Sequence, residues 1–441
     1  MTRLDALGEP PFTLRARLLT PLADGGLQYE PDALLEVDGA GAVVRVGPWP
    51  DTAQPTGYAD LRPWVVMPGL VDLHAHLPQL PNAGVGAGLD LLTWLERYIF
   101  PLERDFDVAT ADLVAPAAFR AMAAAGTTTV VAYGALWADS LDSCFRAAES
   151  HGIRAVIGKV MMDRLSYDVD RTPDDVLALS LEQSADLCRR WHGRDDGRLQ
   201  YAFTPRFAVS CSAEMLRASA RAAAETGAYW QTHLAEDREE MAEVGRLFPE
   251  ALDYTDVYDR AGGLTSRAIL AHAIHLSDRE VARLAEAGAA VVHCPSSNLF
   301  LASGAMPLAR YLAAGVRVGL GSDVAAGPDV SLFDVMRAGA YTQNALRAAG
   351  LTDAAVLTPA DWLRLGTLGG AEALGLADRI GSLEAGKEAD FIVVDPEATL
   401  PIAGLGAQHA AGPEEMLSRL IFRQHPAMVR GAWVRGRRLP A

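Results

Sequence analysis

The chain has only 4 cysteines in 441 residues, Cys144, Cys188, Cys211 and Cys294, and no two of them form a CxxC pair. Scattered thiols argue against a disulfide framework and against a cysteine zinc knuckle, and they fit the reduced state of a cytoplasmic protein. Basic residues are also outnumbered: 39 Lys and Arg against 56 Asp and Glu leave a formal charge of -17. That balance provides no broad cationic face for phosphates and argues against nucleic-acid binding, whereas a small neutral or basic substrate suits it. No apolar run approaches the length of a membrane span, and the opening Met1-Thr2-Arg3-Leu4-Asp5 leads to no continuous apolar stretch before Pro10. Sequence repeats and low-complexity linkers are missing too, with only residues 404–413 reading as a loop. What is present, 50% hydrophobic and 22% charged residues over more length than a typical single domain, is the composition of a large globular enzyme.

Short β-branched runs that end in polar residues alternate with alanine-rich stretches of helical length. They fall at 65–74, 126–134, 153–161, 199–207, 228–236, 268–275, 289–296 and 317–323. Eight such units predict a (β/α)8 TIM barrel, in the α/β class. Residues 117–125 and 213–226 supply good helix formers, and Gly126, Gly152, Gly227, Gly288 and Gly315 stand where helices should stop. The flanks, 12–48 and 386–440, hold short alternating runs with turn glycines instead, which predicts that both chain ends pair into one small β domain. The expected division is 1–65 with 377–441 for that domain and 66–376 for the barrel.

Catalytic groups of a TIM barrel gather at the carboxyl ends of its strands. His74 and His76 close the first unit, Arg206 the fourth, His233 and Glu236 the fifth, His272 the sixth and Asp323 the eighth. Each has a plain structural reading: His272 a capped core histidine, Asp323 a helix N-cap, Arg206 half of a salt bridge, Glu236 a solvated acid. Their agreement over five strand ends favours a shared site. Histidines two apart on a strand face the same way, so His74 and His76 converge. With His233 and Asp323 they form a three-imidazole, one-carboxylate set suited to one divalent cation, zinc or iron(II), which would make hydroxide available near neutral pH. Asp323 would also accept the water's proton, His272 would hold the water in line, and Glu236 would serve as general acid and base toward a ring nitrogen and a leaving amine.

Pro68-Gly69-Leu70-Val71-Asp72-Leu73-His74-Ala75-His76, Thr232-His233-Leu234-Ala235-Glu236, Ala271-His272 and Gly321-Ser322-Asp323 resemble signatures of the amidohydrolase superfamily, and residues 380–391 resemble its re-entry into the small β domain. Within it the chain is most similar to the guanine deaminases, through Gln79, the run 92–101, Gly158-Lys159-Val160-Met161-Met162-Asp163, Thr204-Pro205-Arg206-Phe207 and His293-Cys294-Pro295-Ser296-Ser297-Asn298. The resemblance implies deamination of guanine to xanthine and ammonia, purine catabolism and a homodimer. It also implies a substrate pocket of Gln79, Arg206, Phe207, His233 and Trp94, in which amide and guanidinium read the polar edge and an aromatic ring covers the base. The chain departs from the pattern at Leu80-Pro81-Asn82 and at Val324-Ala325-Ala326-Gly327, loops over the substrate. Other fused or triazine amino-heterocycles, 8-oxoguanine and pterins among them, are alternative substrates, and a non-catalytic scaffold is the alternative from a different class. Lys159 stands on the third unit, not the fourth, which favours one metal over a two-metal site bridged by a carbamylated lysine.

Overall fold

The computed structural model describes residues 4, 7–52, 55–165, 168, 170–402 and 412–441. Of the loop read at 404–413, all but Gly412 and Pro413 lie outside the described residues, as do Met1 to Arg3. The N-terminal flank forms β1 (Phe12–Pro21), β2 (Leu27–Val37), β3 (Val43–Pro48) and β4 (Ala59–Pro68). The next strands are β5 (Leu70–His76), β6 (Thr127–Tyr133), β7 (Arg154–Gly158), the two-residue β8 (Val160–Met161), β9 (Leu199–Pro205), β10 (Tyr229–Leu234), β11 (Ala268–His272), β12 (Ala290–His293) and β13 (Arg317–Leu320). The last three are β14 (Phe391–Val394), β15 (Val429–Val434) and β16 (Arg437–Arg438).

Two sheets result. β5, β6, β7 and β9 to β13 run parallel in sequence order, with β8 paired to the end of β9. The ring closes where the Asp323 N–H donates to the His74 carbonyl at 2.7 Å and the His76 N–H to the Val324 carbonyl at 2.9 Å. Every residue of β5, β6, β7, β10, β11 and β12 is buried, as expected of parallel strands covered on both faces. This is the TIM barrel that the alternation of runs predicts. The second sheet has the order β16, β15, β14, β4, β1, β2, β3, so both chain ends do build one β layer. Among the described residues no helix is long and apolar enough to cross a membrane.

Helices return the chain between barrel strands, and their ends follow local chemistry. Ala213–Thr226 starts where the Ser212 side chain accepts from the Met215 N–H and stops at Gly227, whose φ of 70° is left-handed. Asp278–Ala287 is opened by a capping box of Ser277 and Glu280 and closed by Gly288 at φ 61°.

Two expected runs are not single strands, and the strands of two others stop before the site residue. Residues 65–74 divide at Gly69: Val65 to Pro68 pair antiparallel with Val394 to Phe391 in the small sheet, and only Leu70 onward enters the barrel. Residues 153–161 break at Lys159, and β10 and β13 end short of Glu236 and Asp323. The C-terminal flank, expected to be all short strands, also carries the helix Pro413–Phe422.

The sheets are tied by a buried ion network. Arg154, on β7 and 1% exposed, donates through Nη2 to Asp390 at 3.0 Å and also reaches Glu388, which Arg379 and Arg435 contact as well. Burial pushes the Glu388 carboxyl up, but Arg154 and its neighbouring arginines outweigh it and hold the pKa at about 2. The pairing therefore stabilises the fold fully at neutral pH and is lost only as pH falls from the ordinary glutamate range through about 2. Arg154→Met should strand Asp390 without its cation and lower unfolding free energy by about 3–5 kcal/mol, read from chemical denaturation. A loss below about 1 kcal/mol would show that the network is dispensable.

Candidate active site and metal centre

Three strand ends aim four side chains at one point. His74 and His76 are on β5, His233 is on β10, and Asp323 lies three residues past β13 with φ at 49°. His76 Nε2 lies 3.2 Å from His74 Nε2 and 3.3 Å from His233 Nε2, while Asp323 Oδ1 lies 3.1 Å from His74 Nε2 and 3.4 Å from His76 Nε2. Two bonds of about 2.0–2.1 Å to one cation at a tetrahedral angle would set their donor atoms about 3.3–3.4 Å apart. The spacing thus fits a shared divalent ion.

The tautomers fit as well. His233 Nδ1 is 2.6 Å from the Arg206 carbonyl, which can only accept, so the proton is on Nδ1 and the Nε2 lone pair faces the cluster. Burial lowers the pKa of all three imidazoles, that of His76 to about 4, keeping them neutral as ligation requires. Burial alone would raise Asp323, yet His74 and His76 overcome it and hold the carboxylate well below its usual range.

His272 and Glu236 stand beside this set. His272 Nδ1 meets Asn298 Oδ1 at 2.9 Å, which leaves Nε2 facing Glu236 Oε2 at 3.4 Å and Asp323 Oδ2 at 3.8 Å. Nε2 is buried with no hydrogen-bond partner, so it is available to something held between the two carboxylates. His272 also groups with His74 and Asp323 as a possible cation site, but at longer distances than the first set. Burial, reinforced by the nearby Asp323 charge, raises the Glu236 carboxyl well above its ordinary pKa. Ser303 Oγ donates to Glu236 Oε1 at 3.2 Å.

A pocket is lined by His76, Gln79, Trp94, Arg206, Phe207, His233, Glu236, His272 and Asp323, together with Leu91, Leu95, Leu301 and Ala326. All the site candidates from the sequence except His74 border it, and the His74 ring packs edge-to-face against His76 at 4.9 Å between centroids. Trp94 donates from Nε1 to the Val85 carbonyl at 2.9 Å and presents its ring as wall. Arg206 is half of a salt bridge as well as pocket lining: its partner is Glu103, and Gln79 Nε2 donates to the same Glu103 at 2.7 Å. Lys159 Nζ donates to the Val160 carbonyl at 3.4 Å, and burial lowers its pKa to about 8.

Several residues that hold the site carried no role in the sequence reading. Asp72 accepts from the His74 N–H at 3.1 Å and from the Ser322 N–H and hydroxyl at 3.0 and 2.6 Å, tying the first strand to the eighth. Ser297 donates to Asp323 Oδ2. Asp72, Ser297, Asn298 and Ser322 lie within motifs quoted above, so a search for polar residues beside each ligand would have raised them. Glu103 lies just outside any quoted motif, and only the need of a buried arginine for a counter-ion pointed to it.

An amidohydrolase family model matches residues 65–439. The probable guanine deaminase of Deinococcus radiodurans is 37% identical over 420 residues, covering 93% of each chain. The solved guanine deaminase of E. coli superposes with a TM-score of 0.87 at 32% identity over 97% of this chain and 99% of its own. That of C. acetobutylicum, solved with guanine in its active site, superposes at 0.88 with 28% identity over 97% and 99%.

His74→Ala should abolish stoichiometric metal binding, because an incomplete set holds its ion poorly. Elemental analysis of the purified variant checks this, with one ion per chain expected in the wild type; two tightly held ions per wild-type chain, or full retention in the variant, would overturn the ligand set.

Proposed function

The chain belongs to the amidohydrolase family, and from that premise we propose that it hydrolytically deaminates guanine to xanthine and ammonia. One observation carries the reading: one pocket is bordered both by the imidazole and carboxylate cluster and by Gln79 and Arg206, groups suited to reading a lactam edge. Identity to guanine deaminases over most of the chain favours guanine over 8-oxoguanine, pterins or triazines. We assign His74, His76, His233 and Asp323 as ligands of one divalent cation, zinc by its fit to three nitrogens and one oxygen, with iron(II) the second choice. The remaining parts of the proposal, a homodimer, a cytoplasmic location and a place in purine catabolism, rest on the resemblance.

When bound, the cation supplies Lewis acidity that makes a water nucleophilic near neutral pH. The chain's own groups do the rest. His272 Nε2, a lone pair by virtue of the Asn298 contact, accepts from that water and fixes its line of approach. Asp323, held anionic by its histidines, takes the water's proton on the oxygen turned toward His272. Glu236, kept protonated by burial, gives its proton to the ring nitrogen beside the carbon under attack; as a carboxylate it then takes the proton of the newly added hydroxyl and passes it to the departing amine, leaving the product carbonyl. Phe207 and Trp94 cover the ring and exclude water.

Guanine carries a carbonyl at position 6, where adenine carries an amino group. Arg206 can only donate, so adenine should leave it unpaired, and guanine should be preferred by about four orders of magnitude. Following purine absorbance with purified enzyme tests this; comparable deamination of adenine would refute it. Glu236→Gln keeps shape and loses the acid, so turnover should fall about a hundredfold or more at unchanged metal content. Loss of metal in that variant would make Glu236 a ligand instead.

A further inference from the structure

Glu103 is itself part of neither the ligand cluster nor the cavity lining, yet it is 1% exposed and placed between the two residues assigned to the substrate's polar edge. It comes from a separate element, the short helix Phe100–Arg104, whereas Gln79 lies on the turn Leu77–Asn82 after β5 and Arg206 directly follows β9. Its two oxygens are divided: Oε1 accepts from Gln79 Nε2 at 2.7 Å and Oε2 from Arg206 Nη1. The Phe100 ring, 5.3 Å from the guanidinium carbon, packs against the same arginine.

We infer that Glu103 is a specificity-determining positioning residue, setting which way the Gln79 amide faces and thereby which ring edge the pocket reads. A carboxylate only accepts, so the Gln79 NH2 must turn toward Glu103, and the Gln79 carbonyl is what remains for a ligand. Arg206, anchored by one nitrogen, offers its other N–H groups. The pocket then presents an acceptor beside a donor, the complement of an N–H beside a C=O, as in the N1–H and O6 edge of guanine. An acceptor nitrogen in place of that N–H, as in 2-aminopurine, meets the Gln79 carbonyl with lone pair against lone pair and leaves Arg206 unpaired. This assignment rests on the guanine reading for the name of the base but on geometry alone for the donor and acceptor pattern.

Glu103→Gln tests it. An amide has one accepting and one donating end, so it cannot take a proton from both sides, and Gln79 is released to present its NH2. Guanine kcat/KM should fall about ten- to a hundredfold, chiefly through KM, and the preference for guanine over 2-aminopurine should shrink by about tenfold, with metal content unchanged. A structural role alone predicts none of this selectivity change. The double variant Gln79→Glu with Glu103→Gln restores the pattern: the new amide donates to the new carboxylate and accepts from Arg206, and the carboxylate's other oxygen faces the substrate. Recovery of guanine kcat/KM and preference to within about tenfold of wild type supports the inference. A double variant no better than Glu103→Gln, or a single variant with unaltered preference, overturns it. Should Glu103→Gln fail to fold, the double variant decides alone by the same criterion. If wild-type enzyme ignores guanine but turns over another amino-lactam, the guanine reading falls, and the same variants judge Glu103 on that substrate.

Discussion

Three imidazole nitrogens and a carboxylate oxygen, within 3.1–3.4 Å of one another at their nearest pairs and all buried, form a dense polar cluster. In a low dielectric such a cluster is costly unless a cation sits within it, and much of the surrounding structure serves to hold it together. The Arg206 carbonyl fixes the His233 tautomer, Tyr258 donates to the His233 carbonyl at 2.7 Å, and Asp72 with Ser322 locks the first strand to the eighth. Backbone strain gathers at the same place: Ala235, His272, Ala273 and Asp323 all have φ between 47° and 70°, a region costly for residues other than glycine. Such conformations persist where surrounding contacts over-determine them, and here they turn the side chains back into the barrel mouth.

The same constraint separates two carboxylates that share a site. Asp323 sits against imidazoles and stays charged, whereas for Glu236 burial and the neighbouring negative charge outweigh the Ser303 hydroxyl, and it keeps its proton. Opposite protonation states a few ångströms apart are what a hydrolysis needs when one group must take a proton and another must give one. Glu240 sharpens this arrangement, since it is buried itself and accepts from the Glu236 N–H at 2.9 Å, fixing the acid's backbone.

The alternation of apolar runs and alanine-rich stretches made the barrel legible, because strand and helix periods survive in sequence whatever their tertiary partners are. Strand limits were less legible. Residues 65–74 look like one apolar run, since strands in both sheets bury the same residue types, and only the turn at Gly69, closed by pairing with distant Phe391–Val394, divides them. The convergence of His74, His76, His233, His272, Glu236 and Asp323 was readable because each stands at a strand end, where topology alone sets direction. Glu103, Ser303 and Glu240 were not, because their importance lies in a partner far away in sequence. Arg206 shows how alternatives can both be true: it is half of an ion pair, and that pairing is what fixes it in the pocket.

The seventh strand, β12, carries none of the four proposed ligands, yet the segment after it holds three of the groups proposed to react. Ser297 holds Asp323, Asn298 holds His272 and Ser303 holds Glu236, all within a short stretch that begins at Pro295. A small displacement of this one segment would move Asp323, His272 and Glu236 together, the groups proposed as proton acceptor, water-orienting imidazole and acid. The ligand set, by contrast, is fixed from the first, fifth and eighth strands. Metal retention and proton transfer are thus supported by different parts of the rim, so a change in the 295–303 segment can alter catalysis while the cation site keeps its geometry.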